Sequence, residues 1–215
     1  MTHRHQTADP GHTPSSRRRA LVIHCHPRPD SMTAAVRDAV LDRLAALGAE
    51  VRLRDLYAEG FDPVLSAEEH AGYGDDTRNR AAVADHVADL LWCDTLIVIY
   101  PTWWYGLPAM LKGWMDRVLL PGVAFALPED GGGGIRPTLT RIDRLGVFTT
   151  CGASWWLTQL MGAPGKRMLM RGLRSLCAPR CRSVFAAHYR MDHSTAPSRA
   201  RPLERVKTRI DRLLR

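Results

Sequence analysis

The sequence predicts an α/β fold: a five-stranded parallel sheet with helices packed on both faces. Three observations carry this. Five short apolar runs alternate with five stretches in which apolar residues recur at helical spacing, the pattern of linked strand–helix–strand units. The third run, Thr95-Leu96-Ile97-Val98-Ile99-Tyr100, is apolar almost throughout rather than alternating, as a strand buried on both faces must be. The crossovers between such units are right-handed, which leaves a doubly wound sheet as the arrangement.

The elements follow in order. Residues 1–19, rich in Thr, His, Pro, Ser and Arg without a hydrophobic period, read as a disordered basic leader, and residues 20–215 as a single domain. Leu21-Val22-Ile23 is the first strand, followed by a turn from Pro27 to Asp30. Met32, Val36, Val40, Leu44 and Leu47 mark one face of a helix that Gly48 stops. Val51 to Asp55 alternates as a second strand. Asp62 to Asp76 is a long polar loop, and Val83, Val87, Leu90 and Leu91 mark the second helix. The Thr95–Tyr100 run is then the central strand. Pro108 opens the third helix as a first-turn proline, with Leu111, Trp114, Met115 and Val118 on one face. Gly131 to Gly134 is a flexible insert. Leu145 to Thr149 is the fourth strand, Gly165 to Leu176 the fourth helix and Arg182 to Ala187 the fifth strand. Leu203, Val206, Ile210 and Leu213 close the chain with an amphipathic helix.

Doubly wound sheets come in Rossmann-type and flavodoxin-type orders. Five strands in a chain of this length favour the second: a flavodoxin-like three-layer sandwich with strand order 2-1-3-4-5. Ligands of such sheets sit beyond the carboxyl ends of the strands, where the strand order reverses. The loops after strands one, three and four are therefore the ones that carry chemistry.

Composition narrows the function. No apolar run approaches the roughly 20 residues needed to span a bilayer, and the amino terminus has no apolar core for an export signal, so the expected compartment is the cytoplasm. Five scattered cysteines are an odd count and read as free thiols rather than a disulfide framework or structural zinc. The net charge of +8 lies largely in the leader and the last third of the chain. No zinc finger, RNA-recognition signature or basic zipper accompanies it, so a solvated basic face is expected rather than nucleic-acid binding. Such a face also attracts anionic dinucleotides.

The first loop, His24-Cys25-His26-Pro27-Arg28-Pro29-Asp30-Ser31-Met32-Thr33, lacks both G-x-G-x-x-G and the P-loop signature. It places Ser31 and Thr33 at a helix start, which reads either as a phosphate cradle or as a plain N-cap. His26 suits a donor to that phosphate better than His24 and His26 suit a metal, since no third ligand is near. The second loop sets Trp103, Trp104 and Tyr105 side by side at a strand end. Such a group needs a flat ring, a dimer interface or a core to cover it. The third, Thr149-Thr150-Cys151-Gly152-Ala153-Ser154, is made of small residues that let backbone N–H groups approach a planar ligand. Cys151 lacks the resolving cysteine or base that would mark a nucleophile.

Together these loops resemble the NAD(P)H:quinone oxidoreductase family. Pro101-Thr102-Trp103-Trp104-Tyr105-Gly106-Leu107-Pro108-Ala109-Met110-Leu111-Lys112-Gly113-Trp114-Met115-Asp116-Arg117-Val118 is similar to its signature P-x-x-W-(F/Y)-G-x-P-A-x-L-K-G-W-x-(D/E)-R-V. His26 to Thr33 resembles the family's H-x4-S-x-(N/T) turn, and Thr149 to Gly152 its T-T-G-G loop, with Cys151 in place of the first glycine. The resemblance implies a flavin, FMN with FAD as the alternative, NAD(P)H as co-substrate, a quinone-like small-molecule acceptor and a homodimer. It implies that His26, Ser31, Met32 and Thr33 surround the flavin phosphate. Pro101, Thr102, Trp103, Trp104, Tyr105 and Gly106 would then frame the ring with Thr149, Thr150, Cys151 and Gly152. Trp104 and Tyr105 form the stacking wall, with backbone donors of the Thr149–Gly152 loop opposite. The Tyr and His that assist hydride transfer in mammalian members are not matched, because Trp155, Trp156 and Leu157 occupy that stretch. An azo- or nitro-reductase on the same fold, and a regulatory flavoprotein subunit of a potassium efflux system, are the alternatives the resemblance leaves.

Overall fold

The most apolar run of the chain forms the middle of the sheet. The structure, a computed structural model, describes residues 17–128 and 134–215. The predicted leader up to residue 16, and Gly131 to Gly133 of the predicted insert, lie outside the described residues. In chain order the elements are β1 (Arg19–His24), α1 (Met32–Ala46), β2 (Glu50–Asp55), α2 (Ala67–Ala71), α3 (Ala84–Trp92), β3 (Thr95–Thr102) and α4 (Ala109–Val118). A short antiparallel pair follows, β4 (Phe125–Ala126) with β5 (Arg136–Pro137). Then come β6 (Arg144–Cys151), α5 (Trp155–Leu160), α6 (Pro164–Arg167), β7 (Arg182–His188) and α7 (Ala196–Leu214). The main sheet is parallel throughout and ordered β2-β1-β3-β6-β7, which is the predicted 2-1-3-4-5 of a flavodoxin-like sandwich.

Strand alternation sorts the core into two layers. Leu21, Ile23, Leu96, Val98, Tyr100, Leu145 and Val147 face Val87, Leu90, Leu111, Trp114, Val118 and Leu169. Ala20, Val22, Ile97, Ile99, Phe148, Val184 and Ala186 face Val36, Val40 and Leu44 of α1 and Val206, Ile210 and Leu213 of α7. Strand β3 contributes to both layers, which is why its run shows no polar alternation. Each fully buried Leu, Ile or Val there contributes about 1.5–3 kcal/mol relative to exposure. Trp114 lies in the first layer, wholly buried, and its Nε1–H donates to His86 Nδ1 at 3.3 Å. Burial pushes His86 down to about 4, so its ring is a neutral acceptor near pH 7.

Several expectations change. Residues 62–76, expected as loop throughout, contain α2, nucleated by a capping box. The Ser66 side chain accepts from Glu69 N–H at 3.1 Å, and the Glu69 carboxylate accepts from Ser66 N–H at 2.9 Å. Glu69 also holds the buried Arg117 of α4 at 2.6 Å, and Arg117 donates to the Asp62 carbonyl, so this segment is clamped onto α4. The expected fourth helix is present, helical from Pro164 through Ser175, with its middle (Met168–Leu173) wound as a π-helical stretch. The unexpected element is α5, which Gly162 and Ala163, at φ 80° and 45°, separate from the helix that Pro164 opens. The last helix begins at Ala196 rather than near Leu203, with Thr195 and Ser198 closing its first turn. Arg19 opens β1, and Arg18 pairs with Asp94 and Asp143, so the end of the predicted leader belongs to the fold.

The clamp has a measurable consequence. A Cβ on Gly113 would lie 2.1 Å from the Pro63 carbonyl oxygen and 2.5 Å from Pro63 Cα, both backbone atoms. Helix propensity alone favours Ala over Gly by about 1 kcal/mol. Gly113→Ala should instead destabilise the protein by about 1–3 kcal/mol in urea denaturation, the range for overpacking. A gain in stability would show that residues 62–66 move freely off α4.

Candidate active site at the carboxyl ends of the strands

The loops after β1, β3 and β6, with the turn after β7, enclose an open cleft of about 820 Å³. That volume suits a small-molecule site. Of the predicted residues, His26, Pro101, Thr102, Trp103, Trp104, Tyr105, Thr150, Cys151 and Gly152 line it; Ala153, Leu157, Met191 and Asp192 join them.

The aromatic wall is a strained turn. Gly106 N–H donates to the Trp103 carbonyl at 2.9 Å, and the two residues between, Trp104 and Tyr105, have φ of 48° and 60°. Positive φ at both central positions is the type I′ pattern, ordinarily filled by Asn and Gly. Left-handed backbone costs an L-residue about 1–2 kcal/mol. Trp104 is 96% exposed, so no packing within the chain offsets that cost. Strain of this kind persists where the surroundings enforce it, and it clusters at ligand clamps. Gly106 itself lies off the cleft, where Gly165 packs against it closely enough that a Cβ on Gly165 would sit 3.2 Å from the Gly106 carbonyl carbon.

His26 faces the cleft from the first loop, its ring 6.3 Å from that of Trp103. Its Nδ1 accepts Arg28 N–H at 3.0 Å, and burial lowers its pKa. Its Nδ1 also lies 3.2 Å from the Arg28 carbonyl, so the loop backbone fixes the ring through that nitrogen. Ser31 is the N-cap of α1 and accepts from Ala34 N–H at 3.0 Å, while its hydroxyl hydrogen remains free to donate. The Met32 side chain is buried in the α1 layer of the core, and Thr33 Oγ1 meets Thr150 Oγ1 at 2.8 Å in the interior. Neither side chain reaches the cleft. What this helix start offers is amide: the N–H groups of Met32 and Thr33 meet no acceptor among the described residues. Thr149 likewise turns inward, its hydroxyl 2.8 Å from that of Thr102.

Cys151 ends β6 at negative φ with its Sγ 3.7 Å from Thr158 Oγ1, so the strand holds a side chain here without strain. Gly152 differs. A Cβ there would meet Asp192 Oδ2 at 2.3 Å, so the space beside it belongs to that carboxylate. Asp192 lies in the turn after β7, outside the three loops that topology singled out, and no motif marks it. His24, weighed as a metal ligand, is buried and bonds Asp55 at 2.9 Å, with burial outweighing Asp55 to lower its pKa. No metal-holding cluster occurs among the described residues. Trp114, placed by its core position, is not part of the aromatic wall.

The cleft lies at the switch point of a doubly wound sheet and is aromatic on one wall, the place and character of a small-molecule site in this class of fold. Residues 18–209 match the flavodoxin-like fold family, and the chain belongs to it. It is 40% identical over 108 residues to YcaK of Escherichia coli, an uncharacterized NAD(P)H oxidoreductase, a match covering 50% of this chain and 55% of that one. It is 35% identical over 124 residues to rat NAD(P)H dehydrogenase (quinone) 1, covering 50% and 45%. The chain thus spans about half the length of the curated relatives it matches. Among solved structures, Smu.1420 from Streptococcus mutans superposes with TM-score 0.76 at 25% identity, over 90% of this chain and 99% of that one. An FMN-dependent NADH-azoreductase from Bacillus anthracis, in complex with FMN, shares the fold at TM-score 0.71 and 17% identity, over 92% and 100%. The relatives' names agree with the resemblance carried by the three loops.

Because Trp104 buries almost nothing within the chain, its backbone strain can be isolated. Trp104→Gly in ligand-free, dilute protein should raise stability by about 0.5–1 kcal/mol in urea denaturation. A lower midpoint would show that the exposed indole contributes packing after all.

Proposed function

We propose that this chain is a flavin-dependent NAD(P)H oxidoreductase that reduces quinone-like acceptors two electrons at a time. The observation that carries the reading is the strained turn holding Trp104 and Tyr105 against the cleft, opposite the Thr149–Gly152 segment. Backbone strain and an exposed indole are together costly unless a flat ring covers them. The start of α1 at Ser31, five residues beyond the cleft residue His26, would take the phosphate of a flavin mononucleotide. The amides of Met32 and Thr33, the Ser31 hydroxyl and the amino-terminal dipole of α1 would hold its phosphate. His26 adds an imidazole that lines the cleft. We therefore favour FMN over FAD. When bound, a flavin supplies two-electron hydride chemistry. The chain's own part is to bind and orient: Pro101 to Tyr105 form one wall, and backbone donors of the Thr150–Gly152 segment favour negative charge on the bound ring. A single cleft then serves NAD(P)H and acceptor in turn. All five cysteines are unpaired and buried, which supports a reducing, cytoplasmic setting, and no described helix is long and apolar enough to cross a membrane.

Titration with FMN should quench tryptophan fluorescence and colour the protein yellow, Ser31→Glu should weaken that binding more than tenfold, and double-reciprocal plots at fixed acceptor concentrations should be parallel. Absence of FMN binding refutes the reading; intersecting lines refute the shared cleft.

We also propose a homodimer built on α5. Trp155, Trp156 and Leu160 are 53%, 76% and 78% exposed beside the cleft wall, an apolar surface of the kind that marks an interface. Light scattering should give twice the chain mass, and Trp156→Glu should shift it to monomer. A monomeric wild type at all concentrations ends this proposal.

A further inference from the structure

We propose that Asp192 selects the cleft's substrates by charge, admitting neutral or cationic ring acceptors and turning away anionic ones. The inference rests on the flavin-reductase reading and concerns what that cleft accepts.

Asp192 is an exposed carboxylate carried by a turn that is itself held in place. Its turn, Met191–His193, starts from Arg190 in the left-handed region at φ 52°. Arg190 N–H donates to the Ala153 carbonyl at 3.1 Å, tying the turn to the segment after β6. His193 N–H closes onto the Arg190 carbonyl at 3.1 Å, and the Ser194 hydroxyl donates to the Met191 carbonyl at 2.6 Å. The carboxylate is set against Gly152 so closely that no other residue type fits there without moving it. Among the described residues, no donor or cation pairs with Asp192. Of the residues lining the cleft, it is the one with a formal charge.

The field inside the cleft therefore opposes the field outside it. The chain as a whole carries +8, which draws anionic dinucleotides toward its surface. That attraction is long-ranged and fades within a Debye length of about 8–10 Å at ordinary ionic strength. A ring entering the cleft comes within a few ångströms of Asp192, well inside a Debye length, where the nearest charge outweighs distant ones. Phosphates of a nucleotide donor can stay outside on the basic surface, whereas a charged substituent on a compact acceptor cannot. An anionic acceptor is thus attracted to the protein and refused by the cleft.

The test uses FMN-loaded wild type, Asp192→Asn and Glu204→Gln. Asn keeps the volume beside Gly152, and Glu204 is an exposed residue of α7 whose substitution removes the same charge far from the cleft. Each protein is titrated with naphthalene-2-sulfonate and the neutral naphthalene-2-sulfonamide, followed by tryptophan fluorescence. Each is also assayed with menadione and 1,2-naphthoquinone-4-sulfonate. Wild type should prefer the neutral ligand, and Asp192→Asn should cut that preference by about tenfold, in Kd and in kcat/KM alike. Glu204→Gln should leave it unchanged. If Asp192→Asn fails to load FMN, Asp192→Ser carries the same comparison. FMN binding to all proteins with an unaltered preference, or an equal change in Glu204→Gln, overturns the role of Asp192 alone. No FMN binding by wild type overturns the functional reading, and this inference with it.

Discussion

Burial of β3 on both faces and along both edges is the constraint on which the remaining structure depends. Its pairing with β1 runs from Thr95 to Ile99, and its pairing with β6 from Thr95 to Thr102. In a parallel sheet these registers bring the carboxyl ends of three strands to one edge, so the loops that leave them must converge. The β1 ladder stops at Ile99. Pro101, which has no N–H to give, therefore stands where that side of the strand no longer needs one. The cleft begins where pairing on that side runs out.

Two threonine pairs join this edge to the core. Thr33 with Thr150 connects α1 to β6, and Thr102 with Thr149 connects β3 to β6, each at 2.8 Å. Their hydroxyls satisfy one another in a buried layer, where an unpaired hydroxyl would cost about 1–3 kcal/mol. They fix the start of α1 relative to the strand ends, which leaves the amides of Met32 and Thr33 at a set place. Thr33 and Thr149 thus serve alignment, while their partners Thr150 and Thr102 also line the cleft.

Much of the fold was legible because its signals are local and repeated. Five apolar runs and the facing residues of α1, α4 and α7 give the layers, and strand count gives the order. The residues of the aromatic loop and the T-T-C-G segment were legible too, through their motifs. What escaped depends on tertiary contact. The capping box at Ser66 and Glu69 is written in the sequence, yet a five-residue helix matters here through the Arg117 it holds. Helix α5, ahead of the break at Gly162 and Ala163, is too short to show an apolar period of its own. Met32 and Thr33 carry plausible polar or adaptable side chains, and the pitch of α1 turns both inward. Asp192 sits after a strand that the switch-point rule passes over, and Gly152 is explained by that distant carboxylate rather than by its own loop.

The turn at Trp103–Gly106 has a further consequence, for the endurance of the chain. A segment that stores strain and buries little has the least to lose by opening, so it belongs among the lowest-stability parts of the molecule. Whatever covers Trp104 and Tyr105 raises the cost of that opening by mass action. Occupancy of the cleft and survival against proteases that cut after aromatic residues are thereby linked: a molecule kept supplied with its ligand is also one kept whole.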